Sequence, residues 1–149
     1  MTRRSRAREV ALQLLFQRDH NPGVPRDAIE AFATERLGDL EVRRFSLELF
    51  DGVLAHLAEI DQKLAAAAEN WRVGRMATVD RNLLRLATQE FLYDKETPKT
   101  VVINEAIEIA RRFSTQESPQ FINGILDSIK KELEEKEARS QKPEARREE

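Results

Sequence analysis

Four arginines, Arg3, Arg4, Arg6 and Arg8, open the chain with no acid among them. A guanidinium presents a planar fork of N–H donors that suits phosphate and also lies flat on a base. This run is therefore a candidate polyanion-binding arm. Arg4 and Arg8 stand four apart and share a face if the helix begins early. Basic termini are also common as solvated, frayed ends, and residue type alone leaves both readings open. Two aromatics extend the inventory. Phe121 falls in the first turn of a helix beside a polar hinge, where it either caps the core edge or faces outward as a stacking surface. Trp71, the one tryptophan, is expected to pack at the core edge, with Arg72 and Arg75 beside it.

Catalytic chemistry finds little support. The chain has no cysteine, which removes disulfides, thiolate metal sites and cysteine nucleophiles together. No phosphate-cradling glycine loop, nucleophile elbow or HExxH zinc signature occurs. His20 and His56 lack partners at a coherent ligand spacing, so no metal and no cofactor are expected. Carboxylates are plentiful, but they fall on outward helix faces near Lys or Arg, as a helical bundle requires to keep its surface wet. The expectation is a protein that is not an enzyme. No apolar run reaches the roughly 20 residues of a bilayer span, and the basic N-terminus lacks the apolar stretch of a secretory signal. A cytoplasmic protein with no membrane contact follows as the expected setting.

The elements that must position these groups read as helices. With 149 residues, 40% of them hydrophobic and 35% charged, and only five glycines and five prolines, the composition favours one all-α domain over a turn-rich sandwich. A first helix is expected over 5–18, burying Ala7, Val10, Ala11, Leu14 and Leu15. A second spans 26–37, burying Ile29, Phe32, Ala33 and Leu37, with Gly38 as its stop. A long third helix over 40–68 carries Gly52 in its interior, which suits close approach of another helix. Thr78 caps a fourth over 79–93, burying Val79, Leu83, Leu86, Ala87 and Phe91. Asp80 in its first turn meets the helix dipole favourably, and Leu84 lies off the main stripe, where exposure would suit a partner. The fifth spans 98–113, with Ile103, Ala106, Ile107, Ala110 and Phe113 on one face. The last begins at Ser118 as N-cap with Pro119 at the first helical position. Its apolar stripe ends at Leu133. Residues 1–136 form the expected domain, and 137–149 an expected charged, disordered tail.

Three segments carry a resemblance: RRSRAREVALQLLF at the start, VDRNLLRLATQEF in the middle, and PKTVVINEAIEIARRF followed by FINGILD. With them the chain resembles the NusB family of bacterial transcription antitermination factors over nearly its whole length. The resemblance implies an all-α fold of seven helices in two small bundles, one more helix than the periodicity gives. The extra element is expected as a short turn near 70–75 or a break in the long third helix. It further implies a non-enzymatic adaptor. Such proteins bind boxA, a short single-stranded element of ribosomal RNA leaders, together with NusE, a small-subunit ribosomal protein. The complex joins RNA polymerase and suppresses premature termination. Carried onto this chain, the RNA contacts are Arg3, Arg4, Arg6, Arg8, Phe16, Glu117, Gln120 and Phe121, and the NusE contacts are Asp80 and Leu84. Phe16 departs from the pattern, since the family often has tyrosine there, which removes a hydroxyl contact.

Single-stranded RNA is read by stacking on aromatics and Arg planes and by holding phosphates. The arginines and Phe121 supply both if the fold brings them into one groove. Four phosphate contacts give an expected salt slope of about −3. Two alternatives stand beside this reading. One is a recognition domain of the kind that accompanies rRNA methyltransferases, without catalysis of its own. The other is a homodimer that stores the protein with its RNA surface covered.

Overall fold

The computed structural model describes residues 2–69 and 71–141. Among these residues there are seven α-helices, one 3₁₀ turn and no strand. The helices are α1 (Arg3–His20), α2 (Arg26–Arg36), α3 (Leu40–Ala55), α4 (Leu57–Ala67), α5 (Thr78–Tyr93), α6 (Lys99–Phe113) and α7 (Ser118–Ser140), and the turn is Val73–Arg75. The expected tail from 142 onward lies outside the described residues.

α1 begins two residues earlier than its apolar spacing indicates, because Thr2 caps it: Thr2 Oγ1 accepts from the Ser5 N–H at 3.0 Å. All four arginines therefore stand on an ordered helix. Ala7, Val10, Ala11, Leu14 and Leu15 are buried as their spacing requires. α1 lies against α3, where the buried Ser46 hydroxyl donates to the Ala7 carbonyl at 2.8 Å, and α2 leans on both. Those three helices make the first bundle. α4, α6 and α7 gather around α5 in the second, and α5 also reaches α1 and α3.

The single long third helix of the sequence reading is two helices. His56 leaves helical geometry at φ −117° and ψ 24°. Its Nδ1 lies 3.1 Å from Gln89 Oε1, and its ring stacks on Tyr93 with centroids 4.0 Å apart. A tertiary contact with α5 sets this break, so no proline or glycine marks it. Gly52, one turn before it, is the close approach that its position suggested. A Cβ built there would stand 2.8 Å from Gln89 Cδ. Gly52→Ala should therefore destabilise the protein. The crowded atoms are the end of the Gln89 side chain, so alanine displaces that amide and costs its contact with His56, about 1–3 kcal/mol, against the roughly 1 kcal/mol that alanine gains in helix propensity. A urea titration should show the loss for Gly52→Ala, and none for the same change made on a Gln89→Ala background.

Several smaller expectations are corrected. α2 stops at Arg36, and no glycine among the described residues has positive φ, so Gly38 is not a left-handed stop. α5 starts at Thr78 itself, with no side-chain cap. The buried face of α6 is turned toward Val102 and Ile109 alongside Ile103, Ala106 and Ala110, which leaves Phe113 43% exposed. α7 runs on to Ser140, past the end of its apolar stripe. Ion pairs at four-residue spacing line that extension, Lys136–Glu132 and Arg139–Glu135 among them, and Lys63 of α4 reaches Glu132 at 2.6 Å.

Candidate RNA-binding surface

The arginine arm divides into exposed and buried members. Arg3, Arg4 and Arg6 are exposed. Arg3 pairs with Asp39, the cap of α3, and Arg6 Nη1 lies 3.3 Å from Glu9. Arg4 stacks over the Phe45 ring at 4.4 Å. Arg8 corrects the sequence reading. It is 5% exposed, and its guanidinium donates twice to Glu90, Nε and Nη2 each at 2.8 Å. Glu105 stands 3.8 Å away. Burial is the largest single influence and disfavours the Arg8 charge, but the hydrogen bonds and charge of Glu90, with the nearby charges of Glu105 and Asp94, together outweigh it and hold the pKa above the ordinary arginine value. Arg8 therefore anchors α1 to α5 and is not a free phosphate donor. The hollow beside the arm, about 490 Å³, is lined by Arg3, Arg4, Val42, Phe45 and Val101 among others.

The two residues expected to face a protein partner are interior. Leu84 is 0% exposed, because α5 is packed on several sides and its apolar face is wide. Asp80 is 7% exposed. Its carboxylate accepts from the Ser114 hydroxyl at 2.6 Å and the Ser118 hydroxyl at 2.9 Å. Ser118 is thus not the N-cap of α7; its hydroxyl goes to Asp80, which fixes the hinge between α6 and α7.

That hinge displays Glu117 and Gln120, both exposed. Gln120 lines a groove of about 780 Å³ with Ile107, Arg111, Ser114, Thr115, Pro119 and Asn123 among others, so its wall mixes polar and apolar groups. Phe121 is half-buried and meets Trp71 edge-to-face, with ring centroids 5.8 Å apart. Trp71 is 56% exposed, contrary to the expectation of a core-edge residue, and Arg72 and Arg75 are exposed beside it. An exposed tryptophan edged by arginines is a stacking platform.

Phe121 and the arginine arm do not form one groove. Asp80 holds the hinge and Glu90 holds the arm, and these acids stand ten residues apart on α5, about 15 Å along its axis. The surface between them is not blank. A hollow shared by Thr2, Ser5, Glu9, Val101 and Arg112 continues the arm along α1 and α6. Glu9 also borders the next hollow, which contains Phe16 and Phe113. Phe16 is 40% exposed and stacks on His20 at 4.4 Å. Sequence reasoning named Phe16 but missed Phe113, because the helical spacing assigned that ring to the core.

No group of three or more His, Asp or Glu side chains able to hold a metal occurs among the described residues, and no helix there is long and apolar enough to cross a membrane.

The NusB family model matches residues 5–131. The transcription antitermination protein NusB of Koribacter versatilis is 49% identical over 132 residues, 88% of this chain and 90% of the relative. That of Geobacter sulfurreducens is 45% identical over 137 residues, 91% of this chain and 99% of the relative. Among solved structures, T. maritima NusB matches with a TM-score of 0.78 and 38% identity, covering 89% of this chain and 92% of that one. A crystal structure of the antitermination factors NusB and NusE in complex with dsRNA matches with a TM-score of 0.78, covering 88% of this chain and 98% of that one. At 23% identity that match speaks for the fold alone.

Proposed function

The chain belongs to the NusB family, and on that premise we propose that it acts as a transcription antitermination factor. In this reading it binds boxA-type single-stranded RNA of ribosomal RNA leaders. It does so with NusE, in the cytoplasm, and helps the complex on RNA polymerase resist premature termination. It works as an adaptor without catalysis. The observation that carries the reading is the capped start of α1, which presents Arg3, Arg4 and Arg6 at the surface of a rigid element.

The division of labour follows from exposure. Arg3, Arg4 and Arg6 hold phosphates, Phe16, Phe121 and Trp71 offer faces for bases, Gln120 lines the hinge groove, and Glu117 is exposed at the start of α7. Asp80 serves this surface from inside, by pinning the hinge through two serine hydroxyls. With three phosphate contacts in place of four, the expected salt slope becomes about −2. So shallow a slope means weak binding by this chain alone, and a protein partner adds the remaining surface.

Phe121→Ala should weaken boxA RNA binding by about 1–3 kcal/mol, the usual value for one stacked base. Fluorescence polarisation with labelled boxA RNA measures it. Affinity unchanged in a variant that melts normally would remove Phe121 from the RNA surface.

A further inference from the structure

All four arginines of the arm already hold a partner within the chain. Arg8 is clamped by Glu90, and Arg6 Nη1 lies 3.3 Å from Glu9. Arg4 lies over the Phe45 ring, which neutralises none of its charge. Arg3 pairs with Asp39. The three acids differ in one respect. The side chains of Glu9 and Glu90 are 1% and 2% exposed, whereas that of Asp39 is 46% exposed. A buried carboxylate that loses its cation is left uncompensated in the interior. An exposed one is taken up by water. Asp39 is therefore the acid of the three that can let its arginine go. It also divides its two oxygens between tasks. Oδ1 accepts from the backbone N–H groups of Glu41 and Val42, at 2.9 and 3.2 Å, and so caps α3. Oδ2 accepts from the Arg3 guanidinium. A carboxylate oxygen on that fork of donors makes the contact a phosphate oxygen would make.

We propose that Asp39 is a built-in competitor for phosphate: it occupies the Arg3 guanidinium at rest and gives it up when RNA binds. The inference rests on the RNA-binding reading above and adds an autoinhibitory contact to it. The start of α3 thus shields one cation of the arm by the same chemistry that the arm uses on its ligand. An exposed pair of this kind is weak and reversible, so it does not block the arm. It lowers the affinity for every polyanion by one fixed factor. A stray anion held by the arm alone loses most of its occupancy to that factor. An RNA that also gains contacts elsewhere on the surface, or on a protein partner, retains enough affinity to displace Asp39.

The test needs a change that breaks the pair and spares the cap. Asp39→Asn does both: the amide oxygen caps α3 as well as a carboxylate does, and the amide nitrogen in place of Oδ2 cannot accept from Arg3. With the full chain and labelled oligouridylate at low salt, Asp39→Asn should bind about two- to fivefold tighter, the worth of an exposed ion pair. Removing any acid near the arm also favours a polyanion, so Glu41→Gln is the control. Glu41 is exposed, lines the hollow beside Arg3, and pairs with no cation among the described residues. It should gain clearly less than Asp39→Asn. On an Arg3→Gln background the two substitutions should become equal, because the competitor then has nothing to withhold. A gain for Asp39→Asn no larger than that of the control, or one that persists without Arg3, overturns the competitor and leaves RNA binding itself intact. Failure of every variant to bind oligouridylate, or boxA RNA with NusE, overturns the inference together with the reading it rests on.

Discussion

Glu90→Ala should destabilise the folded protein by about 3–5 kcal/mol, because it leaves a guanidinium buried without its partner. The Arg8 and Glu90 side chains are 6% and 2% exposed, and the pair is bidentate at 2.8 Å. Glu105, 3.8 Å from Arg8, offers partial compensation, which places the expected loss near the lower end of that range. The reciprocal change breaks the same pair. Arg8→Met fills similar volume but leaves the buried Glu90 without its cation, and a double change of both residues to apolar ones should recover most of the stability. Urea unfolding of the three variants gives the cycle. The same variants separate structure from RNA contact. If Arg8 held a phosphate, Arg8→Met would flatten the salt slope by about 0.7. The buried pair predicts no change in slope for a variant that still folds.

The second large effect lies deeper in α5. Leu84→Ala should cost about 2–5 kcal/mol, the usual range for truncating a fully buried leucine in a core that cannot collapse around the gap. Leu84 is 0% exposed, with Leu83, Leu86 and Ala87 buried around it. A partner-facing leucine would behave oppositely: stability would hold and NusE affinity would fall. Thermal melts and NusE titrations on the one variant decide between these roles. Asp80 follows the same logic, since its two serine donors lie on the α6–α7 hinge and not on a partner.

The apolar spacing located every helix except the division at His56, because each helix buries a stripe whose period is local. It was weaker on which polar groups are exposed. Arg8 sits on the same N-terminal run as Arg3, Arg4 and Arg6, and only the packing of Glu90, 82 residues away, pulls it inside. For Leu84 the signal was present. Leu83, Leu84, Leu86 and Ala87 together widen the apolar face beyond one stripe, as a helix packed on several sides requires. Trp71 and Phe113 failed for a common reason: large apolar rings are assigned inward by default, and here both stand more than two-fifths exposed at the candidate surface. That Phe121 and the arm stand apart was not legible at all, since it depends on how far along α5 each is anchored.

The most direct test of the central claim is the binding of labelled boxA RNA to this protein, with and without NusE, across a salt series and against a scrambled RNA of equal composition. The account predicts weak binding alone, a salt slope of about −2, clear tightening with NusE, and loss of that tightening with the scrambled RNA. Equal binding of both RNAs, untouched by NusE and governed by salt alone, would contradict it and leave only a basic helix end attracted to any polyanion.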